Sequence, residues 1–304
     1  MGMLDGKAVV ITGGGGLLGS EFAKAMAKEG AKVLVNDIVA ENANAVVAAI
    51  TKAGGTAHAN TQAVAGWESA GRIIDDCLQR FGKIDALVTC AHKTTGGPIW
   101  DMKEADLDLT MNIHVKGQFA CVHHAAKQMM KQKSGSIITM SSRALNGHPA
   151  LSTYAAAKGA IISGTMSWAL ELADHGVRVN CILPAAIRPK PGQELPTHMK
   201  WFWDFSVTNH SWYEPVPAAH TVAPLAVYLA SDAANWVTGQ IVFLSGDTLA
   251  LLRHPREERF GFMPNGWTGA DVARYFKETV GAQLEMPGMG VPRYKWYEGV
   301  RAQK

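Results

Sequence analysis

Short apolar runs alternate with stretches of helical period along most of the chain. Residues 7–12 are apolar and end in Gly13-Gly14-Gly15-Gly16-Leu17-Leu18-Gly19, after which Phe22, Met26 and the alanines carry a helix to Gly30. Residues 33–36 form a second strand closed by Asp37, and residues 40–52 a helix. A strand over 57–60, a helix over 67–81 ended by Gly82, and a strongly apolar strand over 84–90 follow. A long helical segment covers 104–131, then come a strand over 135–140, a helix over 153–175, a strand over 177–183 and a last strand over 239–244. Strands separated by helices predict an α/β fold with a doubly wound parallel sheet, whose ligands bind at the carboxyl ends of the strands.

Beyond the last strand, Thr268-Gly-Ala-Asp271 has the form of a capping box opening an amphipathic helix, with Val272, Tyr275, Phe276 and Val280 as its stripe. Residues 282–304 carry Met286, Met289, Tyr294, Trp296 and Tyr297 without a helix or strand period. They read as an arm that wraps its own subunit or a neighbour.

Composition narrows the classes. A chain of 304 residues with 47% hydrophobic content can bury one large core. A net charge of +3 with no basic cluster argues against nucleic acid as a partner. Cys77, Cys90, Cys121 and Cys181 are scattered and form no Cys-x-x-Cys pair, which fits reduced thiols of a cytoplasmic protein. The chain runs from Met1 almost directly into a strand, and no apolar run is long enough to span a bilayer, so neither a signal peptide nor a membrane partner is expected.

Candidate chemistry centres on Ser141-Ser142 and on Tyr154-Ala-Ala-Ala-Lys158. Residues four apart share a helix face, so the phenol and the ammonium can enter one pocket. A nearby ammonium favours the phenolate and is expected to draw a phenol of pKa near 10 toward neutrality. Ser142 or its neighbour Ser141 would then hold a carbonyl or carbinol oxygen beside the phenol. A Tyr–Lys pair at this spacing is also a common surface pair, so the order of the other elements has to decide. Gly13, Gly16 and Gly19 between a strand and a helix suit a pyrophosphate. Asp37, eighteen positions beyond Gly19, suits the two ribose hydroxyls of NAD and would repel a 2′-phosphate; the other reading is a helix cap. The loop from His92 to Trp100 leaves a strand end and is placed to line a pocket. His114, His123 and His124 do not make a metal site, because adjacent helix positions point apart and no further ligand completes a set.

With these motifs together the chain resembles the short-chain dehydrogenases/reductases over residues 3–247. The match rests on the glycine turn, Asp37, the Ser142/Tyr154/Lys158 set, Arg178-Val-Asn180, Leu229-Ala-Ser-Asp232 and Val237-Thr-Gly-Gln240. The resemblance implies a Rossmann-type single domain over residues 1–250, with residues 188–217 as substrate lid and residues 251–304 as a C-terminal extension. It implies Tyr154 as acid/base, Lys158 as the group that lowers its pKa and holds the nicotinamide ribose, and Ser142 as the group orienting the substrate oxygen. Gly13, Gly16, Leu18, Gly19, Asp37, Ala91, Tyr154, Lys158, Pro184 and Ile187 become the NAD(H) contacts. Assembly as a homodimer or homotetramer through the helices over 104–131 and 153–175 is also implied.

The departures from the family pattern are local. Leu17 replaces a glycine of the compact branch, and Thr89-Cys90-Ala91-His92 replaces Asn-Asn-Ala-Gly, which puts an imidazole near the cofactor, where it narrows the pocket or contacts substrate. His114 stands where an asparagine often completes a proton relay, a trait shared with the dehydrogenase unit of multifunctional enzyme type 2. It is the candidate holder of a relay water, or else a packed helix histidine. A short serine-to-tyrosine interval leaves Ser141 as a second candidate. Trp201, Phe202, Trp203, Phe205, Trp212 and Tyr213 crowd the lid region, and Trp201 and Trp203 are candidate substrate contacts. Such rings favour a bulky apolar or aromatic alcohol or ketone, of steroid, terpenoid or aryl type, as the small-molecule partner. A (3R)-hydroxyacyl thioester is the alternative, and a nicotinamide-binding sensor or scaffold without turnover the alternative from a different class.

Overall fold

A computed structural model describes residues 2–148, 150–184, 218–246, 248–255, 257, 262–264, 266–276 and 278–280. Its first half alternates β1 (Ala8–Thr12), α1 (Leu17–Lys28), β2 (Lys32–Asn36), α2 (Ala40–Lys52), β3 (Thr56–Asn60), α3 (Trp67–Phe81) and β4 (Ala86–Thr89). Then come α4 (Glu104–Met111), a π turn (Asn112–Lys116), α5 (Gly117–Gln132), β5 (Gly135–Met140), α6 (Ser152–Leu172) and β6 (Val177–Leu183). Among the described residues α7 (Ala223–Ala230), β7 (Ile241–Ser245), β8 (Thr248–Leu251) and α8 (Gly269–Tyr275) complete the order.

The eight strands form one sheet in the order β3-β2-β1-β4-β5-β6-β7-β8. Neighbours from β3 through β7 pair in parallel, and β7 pairs with β8 antiparallel. Every residue of β1 is buried, because its alternate side chains enter different cores. Val9 and Ile11 join Phe22, Met26, Val33, Val35 and the apolar face of α7. Ala8 and Val10 join Leu34, Leu87, Ile73, Ile74 and Met129 under α3, α5 and α6. Helices on both faces leave the strand ends as the places where loops converge. The turn after β1, Asp37 after β2, the His92 loop after β4, Ser141-Ser142 after β5 and Pro184 after β6 therefore lie along one edge of the sheet.

Three features differ from the sequence-based expectation. The helix over 104–131 is interrupted by the π turn, in which the Gly117 N–H donates to the Asn112 carbonyl. An additional edge strand, β8, follows directly on β7; its four residues are all exposed, so it carries none of the apolar alternation that marks a half-buried strand. The capping box does open α8, with Asp271 N–H donating to Thr268 Oγ1 (3.1 Å) and Thr268 N–H to Asp271 Oδ2 (3.0 Å). Its expected stripe is not buried among the described residues, however, since Val272, Phe276 and Val280 are exposed.

Candidate functional site

The glycine turn is shaped by close backbone approach. Gly13 has φ +62°, and a Cβ there would come within 2.6 Å of the Ala91 backbone after β4. A Cβ on Gly19 would collide with the Gly13 carbonyl oxygen, so α1 can begin here only without a side chain. Gly16 caps α1 with no side-chain hydrogen bond, and Leu17, Leu18 and Gly19 form its first turn. Their N–H groups and the positive helix end are therefore free of a side-chain cap and suited to an anion. Asp37 is held against this turn, its carboxylate accepting from Gly15 N–H (3.1 Å) and Val39 N–H (3.0 Å). Asp37 thus steadies the approach to α2 without capping it, since Val39 holds the cap position, and it stands at the edge of the glycine cradle.

The two serines separate cleanly. Ser141 is buried and donates from Oγ to the Lys158 backbone carbonyl (2.8 Å), tying β5 to α6. Ser142 instead caps the following helical turn (Arg143–Asn146), accepting from Ala144 N–H (3.2 Å), and lies close enough to the Tyr154 hydroxyl to favour its phenolate. Tyr154 and Lys158 share one face of α6, as their spacing predicts, with the Lys158 Nζ 5.4 Å from the Tyr154 ring centroid.

The electrostatics depart from expectation. Lys158 is buried and donates to the Met140 carbonyl (2.7 Å) rather than to the phenol. Burial lowers its pKa to about 8; Cys181 and Cys90 oppose the shift weakly, their own thiols being pushed up to about 11 and about 12 by the same burial. Tyr154 is raised to about 12, because burial of the hydroxyl outweighs the Ser142 hydrogen bond that favours the phenolate. The expected drop toward neutrality is thus not met while the ammonium faces Met140. Tyr154 still keeps part of its surface accessible, which a group meeting substrate requires.

Two histidines complete the cluster. His92, His114 and Tyr154 meet edge to face, with centroid separations of 5.0 Å for His92–His114, 5.5 Å for His92–Tyr154 and 5.3 Å for His114–Tyr154. His114 sits in the π turn and is fully buried. Its Nε2 donates to the Lys93 carbonyl (2.9 Å), which assigns the proton to Nε2 and leaves Nδ1 an acceptor. Burial, then the charge of Lys158, lowers its pKa to about 2, so the ring is neutral. His92 keeps solvent access and bonds Thr94 Oγ1 through Nε2 (2.7 Å).

The structure therefore brings Ser142, Tyr154, Lys158, His114 and His92 together beside the turn formed by Gly13, Gly16 and Gly19, with Ala91 and Pro184 at adjacent strand ends. Ile187, Trp201 and Trp203, with the rest of the expected lid over 188–217 and the arm over 282–304, lie outside the described residues. Sequence reasoning did not single out Thr94 or Gln118. Thr94 partners His92, and Gln118 accepts from Thr89 Oγ1 (2.7 Å) one helical turn beyond His114. Gln118 lies four positions beyond His114, on the same helix face, a placement that spacing alone gives.

The model of the Enoyl-(Acyl carrier protein) reductase family matches residues 16–246. The chain is similar to the 3-oxoacyl-[acyl-carrier-protein] reductase FabG of Thermotoga maritima, 31% identical over 80% of this chain and 98% of that protein. It is also similar to the (2S)-[(R)-hydroxy(phenyl)methyl]succinyl-CoA dehydrogenase subunit BbsD of Thauera aromatica, 30% identical over 80% of this chain and 96% of that one. A crystal structure of a short chain dehydrogenase from Mycobacterium avium superimposes with a TM-score of 0.83, 31% identical, over 95% of this chain and all (100%) of that one.

Proposed function

Because the chain belongs to the short-chain dehydrogenase/reductase family, and is therefore an oxidoreductase using a nicotinamide cofactor, we propose that it interconverts a secondary alcohol and a ketone with NAD(H). The observation that carries this reading is the convergence of the Tyr154 phenol, the Ser142 hydroxyl beside it and the buried Lys158 ammonium at one sheet edge.

The residues present fit a dinucleotide. The cradle at Gly13 and Gly19 would be filled by any Cβ, and the uncapped start of α1 at Gly16 offers N–H groups to a pyrophosphate. Asp37, with Leu18, Ala91, Pro184 and Ile187, would hold the rest; a carboxylate at the end of β2 favours the ribose diol over a 2′-phosphate. When bound, the nicotinamide supplies or accepts a hydride at its C4.

In the oxidation direction Tyr154 takes the hydroxyl proton, and in reduction it returns one. A phenol near 12 is protonated at neutral pH, ready for delivery. Ser142 holds the reacting oxygen beside it and favours the phenolate through its hydrogen bond. An ammonium turned from Met140 toward the phenol favours it further, which is the role given to Lys158. His114, with its Nδ1 lone pair, holds the relay water behind these groups. His92, open to the cleft beside Tyr154, contacts substrate. A homodimer or homotetramer through α4, α5 and α6 accords with the exposed Phe119 and Leu170 on those helices.

For substrate, the aromatic residues over 201–213 favour a bulky apolar or aryl alcohol. The names of two relatives favour a second reading, an acyl thioester: one is named for a 3-oxoacyl group, the other for a hydroxy(phenyl)methyl group on a CoA thioester. Reduced-nicotinamide absorbance with NAD, and separately NADP, against steroid, terpenoid, aryl and 3-hydroxyacyl-CoA alcohols tests both. Turnover with NAD on a ring-bearing alcohol supports the first reading, and activity confined to acyl-CoA replaces it with the second. A preference for NADP overturns the role of Asp37, and NADH binding without turnover on any alcohol would mean a sensor or scaffold.

A further inference from the structure

Two buried polar atoms on the helix behind Tyr154 have no hydrogen-bond partner among the described residues, His114 Nδ1 and Gln118 Nε2. Both side chains are closed to bulk solvent, at 0% and 3% exposure, so surface water does not satisfy them. Stranding a buried donor or acceptor is unfavourable, and a native interior gives each one a partner.

The two atoms are opposite in sense. Gln118 Nε2 is a donor, whereas His114 Nδ1 is an acceptor, because the ring proton is on Nε2 for the Lys93 carbonyl. They are four residues apart across the junction of the π turn and α5. Four residues of α-helix rotate about 40° past a full turn, and the wider π winding falls short by a similar angle, so either way the side chains share a face. A direct bond between them would satisfy both, yet it is not made. Each is also anchored at its other end, Gln118 Oε1 by Thr89 (2.7 Å) and His114 Nε2 by Lys93 (2.9 Å). Neither can swing across without breaking a bond it already has. Lys158 is near enough for its charge to act on His114, which places this pair at the back of the candidate site.

We infer that one water molecule is bound inside the protein between Gln118 Nε2 and His114 Nδ1, and that Gln118 is thereby a positioning residue for the His114 imidazole. The water accepts from the amide, donates to the ring nitrogen, and meets the minimum of two polar partners for a buried water. One lone pair and one hydrogen remain for further contacts. The inference deepens the proposed role of His114 and rests on it only for its effect on turnover; the water site stands on the two unpartnered atoms.

The test uses the full-length protein, labelled with 15N-histidine for NMR, together with a high-resolution crystal structure. Gln118→Met keeps the chain length and removes the amide. We expect a water peak between the two side chains in the unaltered protein, its loss in Gln118→Met, and a shift of the His114 Nδ1 resonance as its acceptor bond disappears. We expect kcat to fall about tenfold, the equivalent of one hydrogen bond in the transition state, with cofactor KM unchanged. Should Gln118→Met fail to fold, Gln118→Leu removes the same amide with a different apolar shape and is expected to move the same resonance. An Nδ1 resonance unmoved by either variant, or a structure with no water between the two groups, overturns the inference. If the water and the shift are found but His114→Asn retains full kcat, the role of His114 in turnover fails while the water site stands.

Discussion

Replacing Lys158 with Met should abolish turnover and at the same time stabilise the fold. The wild-type ammonium is only 3% exposed, and burial lowers its pKa from 10.5 to about 8. The folded state therefore binds this proton less tightly than the unfolded chain. A shift of roughly 2.5 units corresponds to about 3 kcal/mol of destabilisation wherever both states are protonated, which is below pH 8. Met has nearly the same length and no charge, so that cost disappears. Against it stands the hydrogen bond from Nζ to the Met140 carbonyl, about 1 kcal/mol net. The variant should thus be more stable at pH 7 by about 2 kcal/mol, raising Tm by roughly 5 °C.

The sign reverses the usual lysine case. Above pH 10.5 the amine is neutral in both states and no cost remains, so wild-type stability rises between pH 8 and 10.5 as the unfolded chain alone retains the proton. The advantage of Lys158→Met should then fade from about 2 kcal/mol at pH 7 to near zero at pH 10. Urea unfolding of both proteins at the two pH values, with the slope m held in common, measures this directly. A variant less stable than wild type at pH 7, or an advantage that does not change with pH, would refute the reasoning.

Four further substitutions separate structure from chemistry. Tyr154→Phe should lower kcat by about a thousandfold or more while nicotinamide binding, followed by fluorescence titration, is retained; retained turnover would remove Tyr154 from the acid/base role. Ser141→Ala should cost about 1 kcal/mol in a denaturant melt through loss of the bond to the Lys158 carbonyl, with little change in kcat. Ser142→Ala should do the reverse, and equal effects from the two would mean that their roles are not distinct. Gly19→Ala forces a methyl group onto the Gly13 carbonyl, and should weaken NAD binding by at least tenfold by calorimetry or prevent folding, whereas tight binding would show that the turn is not the phosphate cradle.

The parts of the fold that follow from periodicity were legible in the sequence. The bounds of α2, α3, β5 and β6 coincide with the apolar patterns over 40–52, 67–81, 135–140 and 177–183. β8 was not, because an exposed edge strand has no buried face to impose alternation, and the π turn was not, because its one-residue difference in winding leaves the helical period nearly intact. The pairing of Tyr154 with Lys158 follows from spacing alone. The choice of Ser142 over Ser141 does not, since it depends on which hydroxyl the start of α6 captures. The pKa of Tyr154 is set first by burial of its hydroxyl, a property of the folded neighbours rather than of residue type. The His92–His114–Tyr154 contacts join three separate elements, and only the folded loop after β4 brings them within 6 Å.

The π turn over Asn112–Lys116 gives the site an independence from the scaffold. Such a turn closes its hydrogen bond over five residues where an α turn closes over four, so it takes up one residue with little added length. Deleting a single residue there would let the winding return to α while α5, bound to α3 and the sheet through Cys121, Val122 and Met129, stays in register. His114 would turn away from Tyr154, and the helix beyond it would not move. The π turn is thus the element that aims His114 at Tyr154 and His92, and the geometry of this edge can be altered by changes of chain length that leave the core as it is.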